Sequence, residues 1–417
     1  MNTLAHPVGR NCLPAASPLR HLLARKVLTT VLRRVPVRVL LPGGDPLNVP
    51  DPRLFPDPPT IEIVRPADLA RRLAANPKIG IGEAYMAGDW RAREGTDLAA
   101  ALLPFAQRMT TAVPPALQRL RHLVDLRLPE ARRNTLSGSR QNIRDHYDLS
   151  NDLFAAFLDE TLSYSSALFG HGRPWSSQSL AKAQLRKVNA VLDLAGVRNG
   201  TRVLEIGTGW GTLAIEAARR GADVTSITLS AEQADLARQR VADAGLTDNV
   251  DIRLQDYREV NGAYDAVVSV EMIEAVGEEY WPEYFTAIDQ LLAPGGTAAI
   301  QAILMSHDRY LATRRSYGWI QKHIFPGGLI PSAEAVGASV RTHTDLRVTG
   351  VTRFGPHYAE TLRRWRESFT TAWPKITRLG FDETFRRKWE FYLAYSEAGF
   401  ASGYLDVAHF QLRRPLS

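Results

Sequence analysis

The sequence predicts an α/β protein in which a parallel, doubly wound sheet follows a smaller α+β domain. Three observations predict this fold. Strand-like and helix-like runs alternate from about residue 187 onward, as they do where helices join parallel strands. A glycine-rich loop follows the first of these strands, where sheets of this kind bind ligands. The preceding region has a different composition, with a proline-rich stretch at residues 42–66.

Positive charge is concentrated near the N-terminus. Residues 17–41 contain six basic side chains and no acidic one. Leucines and valines recur there at helical spacing, so we predict a basic amphipathic helix that ends near Arg34, before Pro36. Such a helix can lie in a membrane interface with its arginines on anionic headgroups, or it can pack its apolar face on its own domain. Both interpretations stay open.

The composition limits the class of protein. The chain has 417 residues, of which 45% are hydrophobic and 23% charged, an ordinary balance for a globular core. Its net charge of +7 favours an anionic partner, either nucleic acid or a membrane surface. Cys12 is the single cysteine, which excludes an internal disulfide. Apolar runs are shorter than the roughly 18–20 residues of a membrane span, and a secretory signal is lacking, so we expect a cytoplasmic protein.

The remaining elements follow from local patterns. We predict a short strand around "TIEIV", a helix over residues 66–75, and a connector rich in proline and arginine that runs to Asn134. The predicted strands of the alternating region are "TRVLEIG", "ADVTSITLS", "VDIRLQDY", "YDAVVSVEM" and "TAAIQAILM". The predicted helices are "GTLAIEAARRG", "AEQADLARQRVADAG" and "YWPEYFTAIDQLLAPGG", the last of which ends at Gly295 and Gly296.

The loop after the first strand of this region carries the first functional signal. It reads "VLEIGTGWGTLA" and places Gly207, Gly209 and Gly211 between strand and helix. Positions without side chains let a ligand approach the backbone closely. The spacing is tighter than the G-x-G-x-x-G fingerprint of dinucleotide sites. With Glu205 before it, the loop resembles that of class I S-adenosylmethionine (SAM)-dependent methyltransferases, so SAM is the expected cofactor and a Rossmann-like sheet the expected fold.

Further cofactor contacts are expected after the following strands. Many methyltransferases of this class place an acid after the second strand. This chain instead has "SITLS", which offers the hydroxyls of Thr228 and Ser230, with the amide of Gln233 just beyond, and these groups can hydrogen-bond a ribose. After the third strand, Asp256 can accept from the adenine amine, and Tyr257 either stacks on the ring or packs in the core. The full predicted set is Tyr164, Ser165, Glu205, Gly207, Gly209, Gly211, Thr228, Leu229, Gln233, Asp256, Tyr257 and Val270.

Several separate stretches resemble one family, the cyclopropane-fatty-acid synthases and the related methyltransferases that modify unsaturated acyl chains of phospholipids. These stretches are "IGIGEAYMAGDW", "HYDLSNDLFAAFLDETLSYSSALF", "LEIGTGWG", "SITLS", "SVEMIEAVG", "WIQKHIFPGGLIPS" and "HYAETLRRWRESF". The resemblance implies an N-terminal membrane- and lipid-binding domain at residues 1–125 and a linker at residues 126–145. It implies a SAM-dependent methyltransferase domain at residues 146–417, with insertions that cover the acyl chain.

In its detailed sequence, including "YLAYSEAGFASGYLDV", the chain is most similar to the actinobacterial branch of the family. That branch methylates oleoyl phospholipid to a 10-methylene stearoyl chain, a precursor of tuberculostearic acid. We therefore expect this product, with a cyclopropane closed on the same substrate as the alternative. The resemblance also implies phospholipid acyl chains at an anionic membrane surface as partners, and a peripheral location on the inner face of the cell membrane. A separate reductase would make the 10-methyl product, and a homo-oligomer is an open expectation.

The resemblance also implies a general base. The family uses a bound bicarbonate, held by a glutamate, a tyrosine, a cysteine and residues of the fifth strand. The matching residues here are Glu274, Tyr358, Gln301, Ser166 and Ile303. Ser166 stands where the family has cysteine and Gln301 where it has histidine, and both can hydrogen-bond an anion. The alternative for Glu274 is a helix cap, and we interpret its neighbour Glu271 as a polar lining or structural residue. No metal site is expected.

Two other classes of protein are alternatives. A basic protein with this fold can be a nucleic-acid methyltransferase, which would carry an N/D-P-P-Y/F motif after the fourth strand to receive a flipped base. This chain has "EMIEAVG" there, so we expect no nucleic-acid partner. The other class is a non-catalytic lipid-binding protein with a relict cofactor site, which would not bind SAM.

Overall fold

The computed structural model describes residues 30–32, 34–109, 129, 134–135 and 150–416. The chain forms two compact units, Met1–Asp125 and Leu126–Ser417. Most of the predicted basic helix in residues 17–41 lies outside the described residues, as does most of the predicted linker at residues 126–145. In the part of the chain that the structure describes, no helix is both long and apolar enough to span a bilayer.

The first unit contains a four-stranded sheet in the order β2–β1–β3–β4. Strands β1 and β3 are parallel, and the other pairs are antiparallel. The strands are β1 (Arg38–Leu40), β2 (Pro46–Asn48), β3 (Thr60–Ile63) and β4 (Trp90–Ala92), and the helices are α1 (Pro66–Ala75), α2 (Pro77–Ala87) and α3 (Leu98–Gln107). The strand around "TIEIV" and the helix over residues 66–75 are both confirmed.

A buried carboxylate ties α1 to the segment before β4. Asp89 is 1% exposed, and its two oxygens accept hydrogen bonds from Nε of Arg65 and Nε of Arg72, at 2.8 and 2.9 Å. Its backbone carbonyl also accepts from the amides of Val64 and Arg65. The side chains of the two arginines are partly exposed, so their charges reach water while the carboxylate does not. Asp89 is therefore a buried link between a helix and the sheet.

The second unit contains a seven-stranded sheet in the order β10–β11–β9–β8–β5–β6–β7. Its strands are β5 (Arg202–Ile206), β6 (Asp223–Thr228), β7 (Val250–Leu254), β8 (Tyr264–Val270), β9 (Leu292–Met305), β10 (Arg347–Arg353) and β11 (Leu405–Arg413). Its helices are α4 (Asn151–Phe157), α5 (Leu180–Leu194), α6 (Thr212–Arg219), α7 (Ala231–Asp243), α8 (Ile273–Val276), α9 (Trp281–Leu291), α10 (His307–Thr313), α11 (Trp319–His323), α12 (Ala333–His343), α13 (Gly355–Arg378) and α14 (Glu383–Ala401). The five strands predicted in the alternating region are β5 to β9, and these are parallel to one another.

The strand order determines where a ligand can bind. β5 pairs with β6 on one side and with β8 on the other. The chain therefore leaves β5 toward β6 and later crosses back to β8. The neighbouring carboxyl ends of β5 and β8 form a topological switch point, where doubly wound sheets leave a crevice. At the far side of β8, strand β9 pairs with β11, which runs antiparallel to it.

The sheet is buried on both faces. Val267 of β8 belongs to an apolar cluster with Tyr284 and Phe285 of α9, whereas Val268 belongs to a second cluster with Val188 of α5. Successive side chains of a strand point to opposite faces, so helices cover both sides of β8. This explains why the sequence of the strand is apolar without alternation.

One predicted boundary is wrong. The helix expected to run to Gly295 and Gly296 is α9, which ends at Leu291, and β9 begins at Leu292. Pro294 lacks an amide hydrogen and disfavours helical backbone at the residue before it. The two glycines therefore lie in the first part of the strand.

We expect Asp89→Ala to lower the free energy of unfolding by about 1–3 kcal/mol, because a buried acceptor of two charged hydrogen bonds is removed. The matched control is Asp235→Ala, which removes an ion pair with Arg238 at the protein surface. The control substitution should lower the free energy of unfolding by about 0.5 kcal/mol or less. Urea denaturation of the full chain measures both, and equal losses would contradict a special role for Asp89.

Candidate active site

A cavity opens at the carboxyl ends of β5, β6 and β8 in the second unit. All of the predicted cofactor-binding residues line this cavity except Gly211. Glu271, interpreted from the sequence as a polar lining or structural residue, lines it as well, and so do Lys187 and Met272, which sequence reasoning did not select. The predicted cofactor-binding residues are therefore brought together at the switch point of the sheet, whereas none of the five predicted catalytic residues lines the cavity.

The three glycines of the loop serve different purposes. Gly207, Gly209 and Gly211 all have positive φ, at 100°, 52° and 86°. A Cβ on Gly207 would lie 2.7 Å from the side chain of Met272, and one on Gly211 would lie 3.2 Å from Cβ of Ala237 in α7. A Cβ on Gly209 would meet no atom within 4 Å. Packing thus requires the outer two glycines, and the middle one leaves open space in the cavity.

Glu205 and Lys187 are two buried titratable groups beside this loop. Glu205 lies in β5, one residue before its end, and accepts a hydrogen bond from Oγ of Ser226 at 2.5 Å, while burial raises its pKa to about 8. Nζ of Lys187 donates to Oγ of Ser165 at 2.7 Å, and burial lowers the pKa of the lysine to about 8. The sequence signal for Lys187 was its position on the apolar face of α5, four residues after Ala183 and four before Val191.

The residues expected to hold the ribose and adenine lie on the next two loops. Oγ1 of Thr228 donates to Oε1 of Gln233 at 3.3 Å. Asp256 is 1% exposed, and both of its oxygens accept from the guanidinium of Arg258 at 2.8 Å. Tyr257 lines the cavity and packs edge-to-face on Tyr284, with ring centroids 5.5 Å apart. Its ring therefore makes the core contact that was one of the two expectations, and it also lines the cavity.

Glu271 is the centre of a hydrogen-bond cluster at the end of β8. Its carboxylate accepts from the amide of Ser166 at 3.0 Å, from Nε2 of Gln301 at 2.8 Å and from the hydroxyl of Tyr358 at 2.7 Å. Burial raises the pKa of Glu271, and these three donors oppose that rise. Nε2 of His409 donates to Oε1 of Gln301 at 2.9 Å, which fixes the orientation of the amide.

Glu274 lies in a different environment, one helical turn further along. Its Oε1 accepts from the backbone amide of Ile303 at 2.5 Å. Its Oε2 is buried and has no hydrogen-bond partner among the described residues. Burial, together with the charge of Glu271, raises the pKa of Glu274 to about 8. Of the residues that the sequence grouped with Glu274, the structure places Ile303 against it and the other three against Glu271.

Aromatic side chains enclose the site on the side of α4, α13 and α14. The ring of Tyr164 lies 5.2 Å from those of Phe154 and Trp365, measured between centroids. Its hydroxyl donates to that of Tyr392 at 2.8 Å. Trp365 and Phe154 are fully buried. Tyr164 lines the cavity, and the two buried rings pack behind it.

The donor set of the cavity fits SAM. The open position at Gly209 allows a ligand to approach the backbone, while the hydroxyl of Thr228 and the amide of Gln233 suit a ribose. The side chains of Glu205 and Glu271 add hydrogen-bonding oxygens to the lining. When bound, SAM supplies an electrophilic methyl group.

We expect Gly209→Ala to weaken SAM binding about tenfold or more, because the added methyl group intrudes on the ligand space. Gly245→Ala is the matched control. Gly245 also has positive φ, at 69°, and no atom lies within 4 Å of its Cβ position, but it follows α7 away from the cavity. Both variants carry a similar backbone strain, about 1 kcal/mol. Isothermal titration with SAM compares them, and an equal affinity for both would exclude Gly209 from the ligand site.

Comparison with known proteins shows the family of the chain. The family model described as mycolic acid cyclopropane synthetase matches residues 135–410. The chain is 50% identical to tuberculostearic acid methyltransferase UfaA1 of Mycobacterium tuberculosis, over 98% of this chain and 94% of that protein. It is 32% identical to cyclopropane-fatty-acyl-phospholipid synthase of Escherichia coli, over 81% of this chain and 83% of that protein.

A solved structure shows the same fold. The mycolic acid cyclopropane synthase CmaA1, complexed with SAH and CTAB, matches 66% of this chain and 98% of its own, with a TM-score of 0.60 and 28% identity. The expected class I fold is therefore confirmed. The chain belongs to the mycolic acid cyclopropane synthetase family of SAM-dependent methyltransferases.

Proposed function

We propose that this enzyme transfers a methyl group to the double bond of an oleoyl phospholipid and produces a 10-methylene stearoyl chain. The observation that carries the proposal is the buried carboxylate of Glu271, which lines the cofactor cavity and lies within an aromatic enclosure. An alkene needs no base to become a nucleophile. The cation left after methylation does need a base nearby and must be kept from water.

The reaction requires residues that exclude water, hold the alkene and accept a proton. Trp365, Phe154 and Tyr164 form an apolar wall that suits an acyl chain and excludes water. Holding the alkene in place supplies a proximity effect of up to about 7–11 kcal/mol in favourable cases. Deprotonation of the cation then requires a carboxylate or a bound anion at the end of β8.

Two products can arise from the same cation. Direct loss of a proton from the transferred methyl group closes a cyclopropane. If a hydride first moves between the two former alkene carbons, the same loss gives an exocyclic methylene group. The 50% identity to a tuberculostearic acid methyltransferase supports the methylene product, and the 32% identity to a cyclopropane synthase keeps cyclopropane as the second candidate. A separate reductase would convert the methylene chain to the 10-methyl chain.

Incubation of the enzyme with SAM and dioleoyl phospholipid vesicles tests the product. We expect vinylidene protons in the proton NMR spectrum of the extracted fatty acids, and a mass increase of one CH₂ unit. High-field cyclopropyl protons would instead establish the second candidate. A reaction without SAM is the control.

We also propose that the basic segment, residues 17–41, holds the enzyme on anionic phospholipid at the inner face of the cell membrane. Its six basic side chains and helical spacing of leucines support this proposal. Each basic residue near such a surface contributes about 1 kcal/mol.

Deletion of residues 1–29, which keeps β1 and the buried Leu32 and Val35 in place, should weaken binding to anionic vesicles, and the difference from the full chain should shrink as salt screens the charges. Vesicle sedimentation at two salt concentrations measures this. Neutral phosphatidylcholine vesicles are the control. Equal binding of both proteins to anionic vesicles would refute the membrane role.

A further inference from the structure

Three of the five residues expected to hold a bicarbonate ion are already engaged by a side chain. Resemblance to the family assigned that ion to Glu274, Tyr358, Gln301, Ser166 and Ile303. In the structure, the tyrosine hydroxyl, the glutamine amide and the backbone amide of Ser166 all donate to Glu271, at 2.7, 2.8 and 3.0 Å. A carboxylate has the same planar pair of acceptor oxygens as bicarbonate.

We propose that Glu271 is itself the general base of the reaction and takes the place of a bound bicarbonate. This inference rests on the proposed function, since it concerns the deprotonation step of that reaction. The three donors leave part of the acceptor capacity of the carboxylate open, and Glu271 lines the cofactor cavity. The cluster therefore holds an acceptor next to the space where the substrate must react.

A second anion does not fit beside this carboxylate. The three donors would have to be shared, and a bicarbonate would lie against the negative charge of Glu271, which is unfavourable in a buried site. The charges of the neighbouring side chains favour a single anion at the position of the Glu271 carboxylate. Lys187 attracts Glu271, while burial keeps Glu274 largely protonated near neutral pH.

The backbone also distinguishes Glu271. Its φ is 53°, in the left-handed region that favours glycine. Residues other than glycine persist there only where the surrounding structure holds them, and such positions cluster at active sites. Here the three donors and the bond from the Glu271 amide to the carbonyl of Gln301 hold the residue in place. The same conformation means that glycine can replace Glu271 without backbone strain.

Atoms and electrons balance in the proposed deprotonation by Glu271. A C–H bond of the transferred methyl group breaks after the hydride shift, and its electron pair forms the double bond to the adjacent cationic carbon. The proton moves to the carboxylate of Glu271, which becomes a neutral carboxylic acid. It returns to solvent once the product has left, so no further reactant is needed.

Two substitutions at Glu271 test the proposal. Glu271→Gly opens the anion position, whereas Glu271→Gln fills it with an amide that accepts no proton. We expect wild-type turnover in carbon-dioxide-free buffer to be unchanged by added sodium bicarbonate. Glu271→Gly should lose about 100-fold or more in kcat and recover substantially with bicarbonate. Glu271→Gln should lose as much and should not recover.

A matched control is Ser150→Gly, which also places glycine at a residue with positive φ, here 100°, but outside the cavity. Its turnover should match that of wild type with and without bicarbonate. Titration with SAM shows whether each variant is folded. Wild-type turnover that depends on bicarbonate, or a Glu271→Gly variant as active as wild type without it, would overturn the proposal.

A second measurement does not depend on the acyl substrate. Titration of ¹³C-labelled bicarbonate into the SAH complex, followed by NMR, should show binding to Glu271→Gly and none to wild type. If wild type yields no product from oleoyl phospholipid, the proposed function fails, but this titration still decides the anion site. Bicarbonate binding to the wild-type complex would refute the proposal that Glu271 takes the place of a bound bicarbonate.

Discussion

Burial of the Glu271 carboxylate at the end of β8 is the constraint on which the rest of the site depends. An ionised carboxylate removed from water is costly unless several donors surround it. Four separate parts of the chain meet this requirement, because the donors come from the segment before α5, from β9 and from α13, while Glu271 itself follows β8. These elements must therefore hold their relative positions for the site to exist.

Lys187 links this carboxylate to the cofactor side of the cavity. The lysine is 2% exposed, and its charge attracts both Glu271 and Glu205. Each of these groups alone would be pushed toward its neutral form by burial. Lys187 and Glu271 therefore stabilise each other's charged form in a site that is shielded from solvent.

Local patterns in the sequence were sufficient to predict the cofactor cavity. The loop containing Gly207, Gly209 and Gly211 follows directly from strand, turn and helix signals that are close in the chain, and the cavity lies where those signals placed it. The end of α9 was placed too late, because the penalty of Pro294 on helical backbone outweighed the apolar pattern that runs past it. Prediction from the apolar pattern thus failed at a position where a single proline changes the backbone conformation.

The two glutamates, Glu271 and Glu274, show a second limit of prediction from sequence. Both lie in one short segment, and the family pattern points to Glu274. The structure gives Glu271 a φ of 53°, which directs its side chain to the donors and leaves Glu274 with the amide of Ile303. A backbone conformation of this kind depends on packing, and no residue type in the segment signals it.

The sequence by itself determined the alternation of β5–β9 with their helices, the glycine loop and the chemical types available at the site, because these depend on periodicity and on residues close in the chain. Only the tertiary structure decided which carboxylate receives the donors. Glu271 meets groups that are 105, 30 and 87 residues away in the chain. A hydrogen bond requires its two atoms to lie within about 3 Å, and that precision comes from the packing of β8, β9 and α13.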